Sequence, residues 1–181
     1  MRSVLITQWP NKEMSGLILS STRQSFEEHK MLTMRTAEPE DANLLTGHNC
    51  AMALETEGKT LDAVKAMAGV QGLFAHPQFG FYLVAEVDSQ AAATLMVTYE
   101  WSDWRNGLFW WIQSVYVKPQ FRRQGIYTAM YDQLQVMAEA SAIEVCGFRL
   151  YAETDNHSAQ ATYKKNGMHV CDYIMFEQGL G

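Results

Sequence analysis

Cysteine, proline, basic charge and long apolar runs are all scarce in this sequence. Its three cysteines (Cys50, Cys146, Cys171) stand far apart and form no Cys-x-x-Cys pair. An odd, scattered set fits neither a disulfide framework nor a zinc site, so the three read as small, reduced core residues. No apolar run approaches the roughly 20 residues that cross a bilayer. The N-terminus offers Arg2 and then only Val4-Leu5-Ile6 before Thr7, well short of a signal-peptide core of about 7 residues or more. Together these features lead us to expect a cytoplasmic protein with no membrane partner. Lys and Arg number 14 against 20 Asp and Glu, a net charge of −6. That balance disfavours nucleic acid as a partner and favours a cationic substrate such as an amine. Dinucleotide and phosphate-loop glycine signatures, Gly-x-Ser-x-Gly and His-Glu-x-x-His are all missing, and the five histidines show no metal-ligand spacing, so no metal is expected.

What is present is a foldable α/β chain. Of its 181 residues, 48% are apolar, enough for one domain with a buried core. Residues 1–30 differ from the rest, with a Ser/Thr patch at Ser20, Ser21, Thr22 and Ser25. They read as an N-terminal appendage with a strand at Val4–Gln8 and a helix face of Met14, Leu17, Ile18 and Phe26. Three roles stay open for it: packing on the domain, bridging to a second copy as a homodimer, or mobility. The domain proper covers residues 31–181. It starts with an alternating strand, Leu32–Thr36. Pro39 with Glu38, Glu40 and Asp41 opens a helix to about Leu54, which Glu55–Gly58 breaks. A second helix spans about Leu61–Phe74, with Leu61, Val64, Ala68, Val70 and Leu73 as its apolar set. Phe79–Val87, Ala91–Glu100 and Leu108–Val117 form an antiparallel meander joined by turns at Asp88-Ser89-Gln90 and Ser102–Gly107. Ile126, Ala129, Met130, Leu134, Met137 and Ala138 recur at helical spacing. Val145–Thr154 reads as a strand, Ser158–Lys165 as a helix capped by Asp155 or Asn156, and Met168–Phe176 as a last strand. The expected fold is a central mixed sheet with helices on both faces.

The most informative segment runs from Val115 to Tyr127, VYVKPQFRRQGIY. A strand ends at Pro119, a short basic loop follows, and Gly125 opens an amphipathic helix. Free N–H groups and the helix dipole make such a start an anion seat, and a glycine lets a phosphate approach the backbone. Arg122 and Arg123 add charge-assisted donors. The plain alternative is an ordinary strand–turn–helix with solvated basic residues.

Val117-x-Pro119-x-x-Arg122-Arg123-x-Gly125-Ile126 resembles the central motif of the GNAT superfamily of N-acetyltransferases. Asn156-x-x-Ala159-x-x-x-Tyr163-x-x-x-Gly167 resembles its later motif. Both stand in the family's order, and the resemblance covers roughly Met31–Phe176. It implies a bulge in the strand Leu108–Val117 and a splay between that strand and Val145–Thr154, with the pantetheine arm of acetyl-CoA lying in the gap. Val115, Tyr116 and Val117 would line that arm. Arg122, Arg123, Gln124, Gly125, Ile126 and Tyr127 would hold the diphosphate on their N–H groups. Asn156 and Ala159 would contact the pantetheine. The N–H of Val115 would stabilise the oxyanion, and Tyr163 would protonate the leaving thiolate.

The sequence departs from the family at two places. Tyr127 stands where Gly or Ala is usual. Gln113 stands near the place of a glutamate base, and it can orient a water but cannot accept the proton. The base is open among Glu100, Glu153, Glu55, Glu57 and a water chain. Glu100 has Trp101, Asp103 and Trp104 close by in sequence, and a carboxylate near such rings can have a raised pKa. Glu55, Glu57, Trp101 and Gln113 are candidate acceptor-side residues. Four of the five tryptophans fall between residues 101 and 111, which reads either as a cation-binding aromatic site or as sheet packing. The resemblance therefore implies direct acetyl transfer from acetyl-CoA to a primary amine of a small molecule or peptide. The alternatives are an acyl-CoA-binding module without transfer, and an unrelated anion-binding α/β domain.

Overall fold

The structure, a computed structural model, describes residues 30–179. These form two compact units that divide after Arg149. The sequence expectations for Val4–Gln8 and for the helix face from Met14 to Phe26 lie outside the described residues.

The first unit is built on a five-stranded sheet. Its strands are β1 (Leu32–Thr36), β2 (Gly80–Val87), β3 (Gln90–Ser102), β4 (Gly107–Val117) and β5 (Val145–Arg149), side by side in chain order. β1 to β4 are antiparallel neighbours, and β5 runs parallel to β4. Asp88 and Ser89 both take positive φ (51° and 64°), as a two-residue hairpin turn requires. α1 (Ala42–Glu57) and α2 (Ala63–Ala75) lie between β1 and β2, and α3 (Ile126–Glu139) lies between β4 and β5.

Alternation along the strands sorts the side chains onto two faces. On one, Tyr82 and Val84 pack with Ala42 and Leu45 of α1 and Val70 of α2, backed by Met67, Leu73 and Phe74. On the other, Trp110 meets Phe81 edge-on at 5.4 Å and Phe148 at 6.1 Å, and Tyr131 of α3 meets Phe148 at 5.4 Å. Ile126, Met130 and Leu134, four apart on α3, are almost fully buried, as their spacing predicts.

Four sequence expectations are corrected. α1 continues through Glu57, and the break is Gly58 in the left-handed region at φ 62°; Glu55 is thus helical. α2 starts at Ala63 behind Asp62, whose side chain accepts from Val64 and Lys65 N–H. Its inward stripe is Met67, Val70, Leu73 and Phe74, and Val64 is 80% exposed. Of the expected apolar set, Val70 and Leu73 face inward, while Leu61, Val64 and Ala68 are exposed. The strand read as Val145–Thr154 stops at Arg149, and Met168–Phe176 forms no strand. Val170, Tyr173, Ile174 and Phe176 have strand-forming side chains, but β propensity expresses itself only where a ladder partner exists.

The second unit (residues 150–179 of those described) contains α4 (His157–Lys165). Asn156 caps it, its Oδ1 accepting from Ala159 N–H at 3.1 Å. Gly167 follows the helix at φ 86°, the left-handed exit that glycine favours.

One buried group on α1 ties stability to pH. His48 is 95% buried, its Nδ1 is 3.0 Å from Thr94 Oγ1, and its ring lies 4.9 Å from that of Tyr116. Burial, helped by Lys118, lowers its pKa from 6.5 to about 4. Between those values the unfolded chain binds the extra proton, so stability falls as pH drops from 6.5 toward about 4. The slope is at most about 1.4 kcal/mol per pH unit. Urea unfolding of His48→Gln from pH 4 to 7 should show a flatter acid side than the wild type; an unchanged slope would assign the acid sensitivity to other groups.

Candidate active site

β4 changes its pairing along its length. Against β5 the ladder runs from Leu108 through Trp111, opposite Val145 through Arg149. Among the described residues, no strand pairs with Ile112–Val117 on that side. Against β3, Gln113 pairs with Met96 and Tyr116 with Thr94, so Ser114 and Val115 together oppose Leu95. This is a β-bulge, and Ser114 takes φ 49° to make it. Val115, the expected oxyanion donor, therefore sits in the bulge on the open half of β4.

The chain then turns through a 3-10 turn, Pro119–Phe121, whose Phe121 is buried. Arg122 N–H donates to Pro119 O at 3.2 Å, which engages one of the donors expected for an anion. Residues 122–125 are exposed. Gly125 is the N-cap of α3 at φ 76°, and no side chain caps that helix start. The first backbone bond reaching back is Ala129 N–H to Gly125 O, at 3.0 Å. A Cβ built on Gly125 meets nothing within 4 Å. Exposed backbone, an uncapped helix start, the helix dipole and Arg123 fit a diphosphate. Arg123 also holds positive φ (61°), a conformation usually left to glycine.

Arg122 faces the other way. Its Nε donates to Val117 O at 2.8 Å and its Nη2 to Glu55 Oε2 at 2.5 Å, and its guanidinium lies 5.6 Å from the Tyr116 ring centre. Tyr116 donates its hydroxyl to Glu55 Oε1 at 3.0 Å. Arg122, followed by Tyr116, holds the Glu55 carboxyl below its usual range.

A second cluster lies farther back on the same sheet face. Arg149 Nη1 donates to both oxygens of Glu100 at 2.7 and 2.9 Å, and Trp111 Nε1 donates to the same carboxylate. The Arg149 guanidinium stacks 3.7 Å from the Phe109 ring centre. Gln113 donates to Thr98 Oγ1 at 2.5 Å. Trp101 and Trp104 are exposed (55% and 86%), while Trp110 is buried. Glu57 binds Lys59 on the surface. Sequence reasoning missed Arg149, Thr98 and the side-chain role of Tyr116. Their partners lie 15 to 61 residues away, so no local signal marks them.

Asn156, Ala159 and Tyr163 lie in the second unit, Asn156 as the N-cap of α4 and the other two on the helix. The Asn156 cap uses its Oδ1. Burial raises the Tyr163 pKa above 10, so its hydroxyl keeps its proton at neutral pH. No group of His, Cys, Asp and Glu suited to a metal occurs among the described residues. No helix among them is long and apolar enough to cross a membrane.

A family model described as Acetyltransferase (GNAT) family matches residues 34–168. The chain belongs to the GNAT acetyltransferase family. This acetyltransferase is 40% identical to a possible acetyltransferase from Clostridium difficile 630, over 82% of this chain and 97% of that one, with a TM-score of 0.76. A predicted acetyltransferase from Clostridium acetobutylicum, solved with acetyl-CoA, is 22% identical over 82% and 96%, with a TM-score of 0.67. Ribosomal-protein-alanine N-acetyltransferase from Brucella melitensis biovar Abortus 2308 shares the fold at 15% identity, over 83% and 99%, with a TM-score of 0.67. No curated protein matches the chain.

The two left-handed residues of the loop should respond oppositely to substitution. Gly125→Ala meets no steric block, so its cost is the left-handed backbone alone, about 1 kcal/mol. Arg123→Gly should be neutral or stabilising, because relieving about 1–2 kcal/mol of strain offsets about 0.5–1 kcal/mol of added chain entropy. Urea midpoints of the two variants check this; a clear loss for Arg123→Gly would contradict it.

Proposed function

We propose that this GNAT acetyltransferase moves the acetyl group of acetyl-CoA directly to a primary amine of a small molecule or peptide. The observation that carries the reading is the uncapped helix start at Gly125, together with the half of β4 that pairs with no strand on its β5 side among the described residues. The first suits a diphosphate, and the second offers backbone groups to an extended pantetheine arm as a sheet edge would. The neighbour solved with acetyl-CoA adds support by its fold.

The chemistry needs few parts. The neutral amine nitrogen attacks the thioester carbonyl carbon, and negative charge grows on the oxygen. The Val115 N–H in the bulge is assigned to that oxygen, a fixed dipole needing no reorganisation. As the C–N bond forms, the C–S bond breaks, and the sulfur leaves as a thiolate. Tyr163 donates the proton that makes it CoA-SH. The nitrogen gives up its own proton to a base. Glu100 is tied to Arg149 and Trp111, and Glu55 to Arg122 and Tyr116, so a water relayed past Gln113 is the simplest acceptor. No covalent enzyme intermediate is needed.

A thiol-release assay with acetyl-CoA and a panel of primary amines tests this. Tyr163→Phe should lower kcat by roughly 10²-fold or more, the scale of a lost general acid, with CoA affinity little changed. CoA binding without turnover on any amine would instead support the non-catalytic binding module, for which Gln113 is the argument. Absence of CoA binding would end both readings.

A further inference from the structure

Glu55 reads from sequence as an acceptor-side carboxylate at the end of α1, and its contacts point elsewhere. Its two oxygens are divided between Tyr116 Oη and Arg122 Nη2. Tyr116 is the residue after the bulged Val115, and Arg122 follows the turn that leads to Gly125. Arg122 also reaches back to Val117 O, the last carbonyl of β4. Its side chain therefore folds toward the strand end and α1. The three residues close a ring of contacts that joins the last turn of α1, the open end of β4 and the loop before α3.

From this we infer that Glu55 is a positioning residue for the cosubstrate: it holds Arg122, and through Arg122 it sets the backbone of the diphosphate-binding loop. This inference rests on the acetyl-CoA reading above and gives Glu55 a part in it other than contact with the amine. Magnitudes favour placement over stability. The Arg122 and Glu55 side chains are 43% and 38% exposed, and exposed pairs add at most about 1 kcal/mol to folding. The loop they steady carries a left-handed Arg123 and an uncapped Gly125; its other ties, Arg122 N–H to Pro119 O and Gln124 Nε2 to Gln120 O, stay within the loop, so the Glu55 contact is the one that links it to α1. Tyr116 is buried and packs on His48, which is anchored on Thr94. The ring is thus fastened to the rigid centre of the sheet.

The test is calorimetric titration with CoA of the full chain, of Glu55→Ala, Glu55→Gln and Arg122→Ala, and of Glu55→Ala combined with Arg122→Ala. Glu55→Ala should weaken CoA binding by roughly two- to fivefold, the scale of the exposed ion pair that is lost. Glu55→Gln, which keeps an acceptor oxygen, should lose less, and Tm should barely move in either. In the Arg122→Ala background, Glu55→Ala should cause no further loss, because Glu55 acts through Arg122. With an amine acceptor from the panel, KM should rise for acetyl-CoA and not for the amine. Unchanged affinity, additive losses or a rise in the amine KM alone would overturn the inference. Tighter CoA binding by Glu55→Ala would overturn it too, by showing that Glu55 competes with the cosubstrate for Arg122. If the unaltered chain fails to bind CoA, the acetyl-CoA reading itself falls, and this inference with it.

Discussion

A β-strand must place its backbone donors and acceptors on both sides, and β4 does so in two ways along one length. From Leu108 to Trp111 it is paired on both sides; from Ile112 to Val117 it has, among the described residues, β3 alone as a strand neighbour. The remaining features of the site follow from this half-open edge. The bulge at Ser114 and Val115 re-aims the backbone where the ladder to β5 has ended. Tyr116, next in line, is clamped from the α1 side, which keeps a one-sided strand end from fraying. Pro119 then ends the strand and turns the chain into the helix start at Gly125.

The two faces of the sheet divide the labour. One is closed by α3 through Ile126, Met130 and Leu134, which fixes where that helix begins and therefore where its free N–H groups point. The other is closed by α1 and α2 only as far as Tyr82, Val84, Thr94 and Tyr116. Beyond that cover lie Thr98, Glu100, Phe109, Trp111, Gln113 and Arg149, a half-exposed mixture of rings and polar groups. Each charge there has a partner, so the surface presents shape and donors rather than a bare carboxylate.

Much of the architecture was legible in the sequence because it depends on local rules. Asp88-Ser89 and the Ser102–Gly107 stretch mark turns by residue type, and the four-residue spacing on α3 reports burial directly. The phase of α2 was legible only in part: Val70 and Leu73 face inward as expected, while the equally apolar Leu61, Val64 and Ala68 do not. The strand expected at Met168–Phe176 failed for a related reason: alternation states what a segment can do, and pairing decides whether it does. At the site, the Gly125 seat announced itself through motif and residue type. Family membership over residues 34–168 agrees with that reading. The contacts of Glu55 with Tyr116 and Arg122 span 61 and 67 residues, and nothing local distinguishes that carboxylate from Glu57 two residues on. The same holds for Glu100, whose aromatic neighbours in sequence suggested a free acid and whose partner in space is an arginine.

The uneven burial of the tryptophans on β3 and β4 gives the protein an internal optical gauge. Trp110 sits in the apolar interior, while Trp101 and Trp104 stand in water near the hairpin tip. Indole emission shifts with the polarity around it, so the two environments contribute at different wavelengths. Parting of the strand pair would wet Trp110 and redden its share of the emission, whereas motion of the tip would leave that share unchanged, with no dye attached.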